Sequence, residues 1–354
     1  MEKGEEAMKA AVFEGIGNVS VKSVPDPQVE PGGVILKVEA CTICGTDIRI
    51  FRNGHKKVSF PWILGHEVCG TVVEAGKGAN VAIGERVAVM PGAHCGNCVY
   101  CVNGRRHQCA LKKSIGYQLP GGFAEYIALP PEFVTHKMLV AVPEGVASKH
   151  AAIMEPIGVA LHAHDRIDTR LNDSVVILGA GPIGAIHYEI ARLRGAMKII
   201  VADIKDERLE IMRKHYPSAI LVNSRKVDLE NFVKEQTNGL GADAVIVSNS
   251  SPEAQVQSIR LAAARGRVMF FGGLPEDRRI IELDSNIIHY NDLAVYGLNG
   301  TTMKNNYQAM EILKMGLFNM DAIVSHEYPL DDIQKALELV EKGETMRVAI
   351  NPHL

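Results

Sequence analysis

The stretch SVVILGAGPIGAIHYEIARLRG, residues 174–195, decides how this chain is to be read. Val175–Leu178 is an apolar run that reads as a strand, and it enters the turn Gly179-Ala180-Gly181-Pro182-Ile183-Gly184, which opens a helix. Glycines in the order G-x-G-x-x-G permit a tight turn and let the backbone approach a pyrophosphate, which sits at the positive end of the helix. Asp203 ends the next apolar run, KIIVAD, nineteen residues after Gly184. A carboxylate there accepts hydrogen bonds from the adenosine ribose hydroxyls and repels a 2′-phosphate, so NAD is expected rather than NADP. A plain strand-to-helix turn followed by a capping aspartate would explain each piece separately. It does not explain strand, turn, helix, strand and acid in sequence.

The same rhythm continues outward from this stretch. Past about residue 172, strand-like SVVILG, KIIVAD, DAVIVS and GRVMFFGG alternate with helix-like PIGAIHYEIARLRG, ERLEIMRKHY and PEAQVQSIRLAAA, which predicts βαβ units around a parallel sheet. From about residue 8 to 150 the texture differs: NVSVKSV, GGVILKVEA, VCGTVVEAG, ERVAVM and FAEYIAL are short β-rich pieces separated by glycine and proline turns. The polar MEKGEEA before Met8 is expected to be a frayed extension. Beyond about 300 the chain returns to helices and a last strand, RVAINP, able to rejoin the first domain. With 354 residues two domains are expected, one over 8–155 completed by about 300–354 and one over 156–299, with function in the cleft between them.

Composition excludes several classes of function. A hydrophobic fraction of 47%, 22% charged residues and a formal charge of −3 give no basic excess for nucleic acid. The longest apolar stretch, SVVILGAGPIGAI, is broken by glycine and proline and falls short of the ~20 residues of a membrane span. Nothing at the N-terminus has the basic start and apolar core of a signal peptide, so a reducing cytoplasm is expected.

Four of the seven cysteines fall in CGNCVYCVNGRRHQC, residues 95–109. Disulfides conflict with the reducing compartment. The first three spacings match a ferredoxin-type iron–sulfur run, but seven residues separate Cys101 from Cys109 and no proline follows. Four thiolates from Cys95, Cys98, Cys101 and Cys109 fit a structural zinc, with no position left for substrate. The reacting metal is then sought upstream, where CGTD supplies Cys44, Thr46 and Asp47, GHE supplies His66 and Glu67, and MEP supplies Glu155. Cys44, His66 and one glutamate make three protein ligands and leave one position open. Asp47 could accept the other imidazole N–H of His66 and fix its tautomer. Cys41 forms C-x-x-C with Cys44, yet neither Cys41 nor Cys69 has a matching partner set, and both read as packing.

Taken in order, CGTD, GHE, the four-cysteine loop, GGFAEY, EP, GAGPIG and FFGGLP resemble the zinc-dependent medium-chain dehydrogenase/reductase family across essentially the whole chain, and within it the sorbitol and threonine dehydrogenase branch. The resemblance implies an α/β protein: a doubly wound Rossmann sheet plus a GroES-like, β-rich catalytic domain. It implies a catalytic zinc on Cys44 and His66 with Glu67 or Glu155, a structural zinc on the cysteine loop, and a tetramer. Carried over by position, Ile183, Asp203, Arg208, Gly272, Gly273, Leu274, Leu298 and Asn299 would contact the cofactor, with the Arg208 guanidinium able to stack on the adenine.

Two positions depart from the family pattern. Arg49 stands where related enzymes carry a proton-passing histidine, and an arginine is no base near neutrality. Gly300-Thr301 stands where sorbitol dehydrogenases place an Arg-Tyr pair for polyol hydroxyls, which weakens the case for sorbitol. The expected activity is NAD-dependent oxidation of a secondary alcohol: a polyol, sugar alcohol, cyclitol or amino alcohol such as threonine. Thr46 would take the first proton and pass it on through the nicotinamide ribose and water. A metal-free NADPH reductase on the same fold would lack Cys44, His66 and the cysteine loop; a non-catalytic, NAD-sensing zinc protein draws its one encouragement from Arg49.

Overall fold

The computed structural model describes residues 7–354. The frayed extension expected at the N-terminus falls on residues 1–6, outside the described residues, except that Ala7 already belongs to a strand, Ala7–Gly15, paired antiparallel with Asn18–Pro25. The chain divides into two compact units, one of Val159–Gly300 and one of the residues up to Gly158 together with Thr301–Leu354. No helix among the described residues is long and apolar enough to cross a membrane.

The Val159–Gly300 unit holds a six-stranded parallel sheet in the spatial order Ile220–Asn223, Lys198–Asp203, Ser174–Leu178, Ala242–Val247, Ala262–Phe270, Ala294–Gly297. The chain thus builds outward from Ser174–Leu178 to one side, then returns and builds to the other. The reversal leaves a crevice at the carboxyl ends of Ser174–Leu178 and Ala242–Val247, where doubly wound sheets bind their ligands. Val176, Ile200, Val245 and Val268 are fully buried, as expected of parallel strands with helices over them. One boundary differs from the sequence reading. The helix of PEAQVQSIRLAAA stops at Leu261, and Ala262 enters the neighbouring strand opposite Ala242. Alanine favours helix, but the parallel ladder claims the backbone groups of Ala262, and tertiary pairing overrides the weak propensity.

In the other unit a seven-stranded sheet runs Leu139–Ala141, Arg86–Val89, Glu67–Ala75, Val34–Thr42, Arg347–Asn351, Val324–Pro329, with Tyr126–Leu129 also on Val34–Thr42. The last strand, Arg347–Asn351, pairs antiparallel with Val34–Thr42 through Ala349 opposite Thr42, so the C-terminal segment lies within this unit. FAEYIAL does not form one strand: Phe123–Glu125 hydrogen-bonds to Lys9 and Ala11 on the small sheet, and the strand on Val34–Thr42 begins at Tyr126. Phe13 packs edge-on to Phe51 and stacked on Phe123, at 5.8 and 6.3 Å between ring centres, filling the space that the two sheets share. The ends of the cysteine loop are pinned by a two-stranded pairing of Gly92–Ala93 with Lys113–Ser114.

Candidate metal centre and nucleotide site

Cys44 precedes the helix Gly45–Asn53, whose first turn carries Thr46 and Asp47. His66 precedes the strand Glu67–Ala75. Gly65 sets its approach: φ is +95°, and a Cβ there would lie 2.6 Å from the Cys41 sulfur and 3.0 Å from the Phe123 ring. One ligand atom each of Cys44, His66 and Glu67 falls within 4.8 Å of the others, close enough to share one cation. Asp47 accepts the Cys44 backbone N–H at 2.8 Å with one carboxylate oxygen and places the other 3.3 Å from His66 Nδ1. Burial alone would lower the His66 imidazole, but Asp47 and Cys44 carry it well above its ordinary value. A histidine between a carboxylate and a cysteine sulfur marks a place built for positive charge, which a metal fills as readily as a proton.

Glu67 is held from behind. It faces Thr42 across the Val34–Thr42 pairing and accepts the Thr42 hydroxyl, while its other oxygen lies 3.2 Å from Arg347 Nη2. Arg347 also donates to the Ile43 carbonyl at 3.1 Å. Neither Thr42 nor Arg347 stood out in the sequence; an arginine in an otherwise apolar terminal strand was the available signal. Glu155 lies outside the three-residue cluster but within electrostatic reach of His66 and Glu67. It keeps some exposed surface, yet enough protein surrounds it that burial, with the Glu67 charge added, pushes its carboxyl up to about 7. Arg49 Nη2 donates to Thr46 Oγ1 at 2.9 Å. Tyr117, also missed in the sequence, stands beside Thr46 with its ring 5.8 Å from that of His66.

In the cysteine loop the sulfur separations are 3.9 Å for Cys95–Cys101, 3.5 Å for Cys98–Cys101 and 3.6 Å for Cys95–Cys109. A disulfide needs about 2.05 Å, and none of the seven cysteines is bridged. Four sulfurs on a tetrahedron about 2.3 Å from a central zinc stand about 3.8 Å apart, close to these separations. The backbone N–H groups of Asn97 and Cys98 pull the Cys95 thiol down to about 6, toward the thiolate that a metal requires.

In the Val159–Gly300 unit a cavity of about 680 Å³ opens over the glycine turn, lined by Gly179, Gly181, Ile183, Gly184, Asp203 and Arg208 among others. Gly184 is obligatory, since a Cβ there would lie 1.9 Å from the Gly179 carbonyl oxygen. Asp203 accepts backbone N–H bonds from Ala180 at 2.7 Å and Lys205 at 3.0 Å, which fixes its carboxylate at the cavity wall. The Arg208 guanidinium lies over Gly181. Gly272, Gly273 and Leu274 follow the strand Ala262–Phe270, and Leu298 and Asn299 follow Ala294–Gly297, so all five lie at the same carboxyl edge of the sheet without lining this cavity. Ser224, Ser248 and Asn249, which do line it, were not anticipated.

Two family models match the chain: the alcohol dehydrogenase GroES-like domain over residues 30–142 and the zinc-binding dehydrogenase domain over 182–315. L-Threonine 3-dehydrogenase of Bacillus velezensis is 31% identical over 98% of this chain and 99% of its own. Sorbitol dehydrogenase of Bacillus subtilis is 31% identical over 98% of each. A solved structure described as a zinc-binding dehydrogenase from Sinorhizobium meliloti 1021, bound to NADP, superposes with a TM-score of 0.89 at 30% identity, covering 98% of this chain and 100% of that one. The chain belongs to the zinc-dependent medium-chain dehydrogenases. Within them it falls in the branch of the threonine and sorbitol dehydrogenases, and it is an oxidoreductase.

Proposed function

We propose that this enzyme oxidises a secondary alcohol with NAD, the alcohol being a polyol, sugar alcohol, cyclitol or amino alcohol of the threonine type. The observation that carries the reading is the cluster of Cys44, His66 and Glu67 within 4.8 Å, with Asp47 behind His66. Cys44 and His66 would be permanent zinc ligands, and Glu67 and Glu155 would share the remaining carboxylate role. Cys95, Cys98, Cys101 and Cys109 would hold a second, structural zinc. A zinc at the first centre supplies Lewis acidity that favours loss of the alcohol proton, and NAD supplies the hydride acceptor.

The chain's own residues do the rest. Asp47 orients the His66 ring and keeps its outward nitrogen protonated. Arg347 and Thr42 fix the direction of the Glu67 carboxyl group. Thr46 receives the alcohol proton at Oγ1 while giving up its own, which leaves through the nicotinamide ribose and water; Arg49, a permanent cation bonded to that oxygen, orients or attracts an anionic or hydroxyl-rich substrate. Asp203 reads the ribose hydroxyls and disfavours a 2′-phosphate. The unit up to Gly158 with Thr301–Leu354 is accordingly assigned to catalysis and Val159–Gly300 to the cofactor, in a cytoplasmic homotetramer.

The test is a screen of polyols, inositols, amino alcohols and their phosphates, followed by NADH absorbance at 340 nm with the zinc-loaded enzyme. At least one secondary alcohol should reduce NAD, and chelation of the exposed zinc should abolish the reaction. A chain that binds NAD and zinc but oxidises no member of the panel would be a sensor and not a dehydrogenase.

A further inference from the structure

The metal centre is bordered by more positive charge than a neutral alcohol can use. Arg49 reaches Thr46 at 2.9 Å. Tyr117 links the centre to His55, with ring centres 5.8 Å from His66 and 5.3 Å from His55. His55 opens the exposed pair Lys56-Lys57, whose backbone it caps by accepting the Lys57 N–H at Nδ1 over 3.2 Å. Lys112, half-buried, packs its stem on Gly92, bonds its ammonium to the His107 carbonyl at 3.2 Å and lies within electrostatic reach of Glu155. Neither Lys56, Lys57 nor Lys112 forms an ion pair with a carboxylate among the described residues; Glu67 is engaged by Arg347 and Asp47 by Cys44 N–H and His66, which leaves Glu155 as the one acid of the centre facing Lys112.

The charges act on one another. Burial, then Lys57, Lys56 and Arg49, hold the His55 imidazole below its ordinary value, so it stands neutral among them. Gathering like charges costs free energy that a hydroxyl does not return, since a neutral polyol needs acceptors as much as donors. An anion returns it. We infer that the alcohol taken by this site carries an anionic group, a carboxylate or a phosphate, received by a cationic rim of Arg49, Lys56, Lys57 and Lys112. The inference rests on the dehydrogenase reading above and adds to it the charge of the substrate.

Glycerol, glycerate and glycerol 3-phosphate share a secondary alcohol at C2 and differ in charge, so calorimetric titration of the zinc-loaded chain with each isolates the anion. Each anion should bind at least about tenfold more tightly than glycerol at low ionic strength, an advantage that shrinks as salt rises. The tighter of the two anions identifies the source, carboxylate or phosphate. K57Q and K112Q should each lower the ratio of anion to glycerol affinity about threefold or more; Lys57 is exposed, so K57Q tests the rim even where K112Q disturbs its surroundings. Neither anion binding more tightly than glycerol, or the ratio surviving in both variants, would overturn the inference. NAD reduction separates it from the reading beneath it. If neutral polyols are oxidised with a higher kcat/KM than their charged counterparts, the rim inference fails and the dehydrogenase stands. If the anions bind as described but no alcohol of any charge reduces NAD, the anion site stands and the dehydrogenase reading fails.

Discussion

Replacing Arg347 by methionine isolates the support under Glu67. The side chains of Arg347 and Glu67 are only 5% and 1% exposed and stand 3.2 Å apart, so in the zinc-free chain the variant leaves a carboxylate in the interior with Thr42 as its remaining partner. Breaking one side of a buried pair typically costs about 3–5 kcal/mol, because the remaining charge is desolvated and uncompensated. The Ile43 carbonyl also loses its donor, within the same range. Trp62 is the single tryptophan of the chain and lies in a short strand opposite Phe13, so its emission reports unfolding of this unit. With a urea dependence of about 2–3 kcal/mol per molar, the midpoint should fall by about 1–2 M. The double variant R347M/E67Q removes the stranded charge and should recover most of the loss. A single variant within about 1 kcal/mol of the parent, or a double variant no better than the single, would refute the assignment of Arg347 as the counter-charge of Glu67.

Three further outcomes are expected. NAD should be preferred over NADP by about tenfold or more in kcat/KM, and Asp203→Ala should narrow that ratio without lowering stability, since the carboxylate that repels a 2′-phosphate is gone; equal rates with both cofactors in the parent would contradict it. Metal analysis should find two zinc ions per chain, with Cys44→Ala retaining one and Cys98→Ala retaining the other, and iron with visible colour would reassign the cysteine loop. His187 Nδ1 lies 3.1 Å from His164 Nε2 in the interior of the Val159–Gly300 unit, where burial holds His187 down to about 3 and His164 well below its ordinary value. Both are neutral in the fold and protonate when it opens, so the stability they permit is complete above about pH 6.5 and falls by about 1.4 kcal/mol per histidine for each pH unit below it. Urea titrations by far-ultraviolet circular dichroism should show this loss from pH 6.5 downward, and His187→Leu should shallow the slope by about one proton; an unchanged slope would mean that His187 is not the group titrating.

What could be read from the sequence was local or periodic. The glycine turn, its flanking strand and helix, and Asp203 lie within thirty residues of each other, and each step is enforced by a short-range need: a missing Cβ at Gly184, a carboxylate at a strand end. The clustering of Cys95, Cys98, Cys101 and Cys109 was legible for the same reason, since the four sulfurs lie within fifteen residues. Arg347 was not legible as a partner of Glu67. The two are 280 residues apart, and only the antiparallel pairing of the last strand with Val34–Thr42 brings them together. Tyr117 and Lys112 were hidden likewise, because they lie on loops whose paths are set by long-range contacts and carry no periodic signal. Where local propensity and pairing conflict, as at Ala262 after the helix Pro252–Leu261, the sheet prevails, because pairing with Ala242 satisfies backbone groups that a frayed helix end would leave to solvent. The same division runs through the candidate metal centre. Cys44, His66 and Glu67 announce themselves by type, whereas the cations near the cluster, Arg347 behind Glu67 and Lys112 beside Glu155, are placed by the fold alone; the candidate ligands were therefore visible in the sequence before the charges around them.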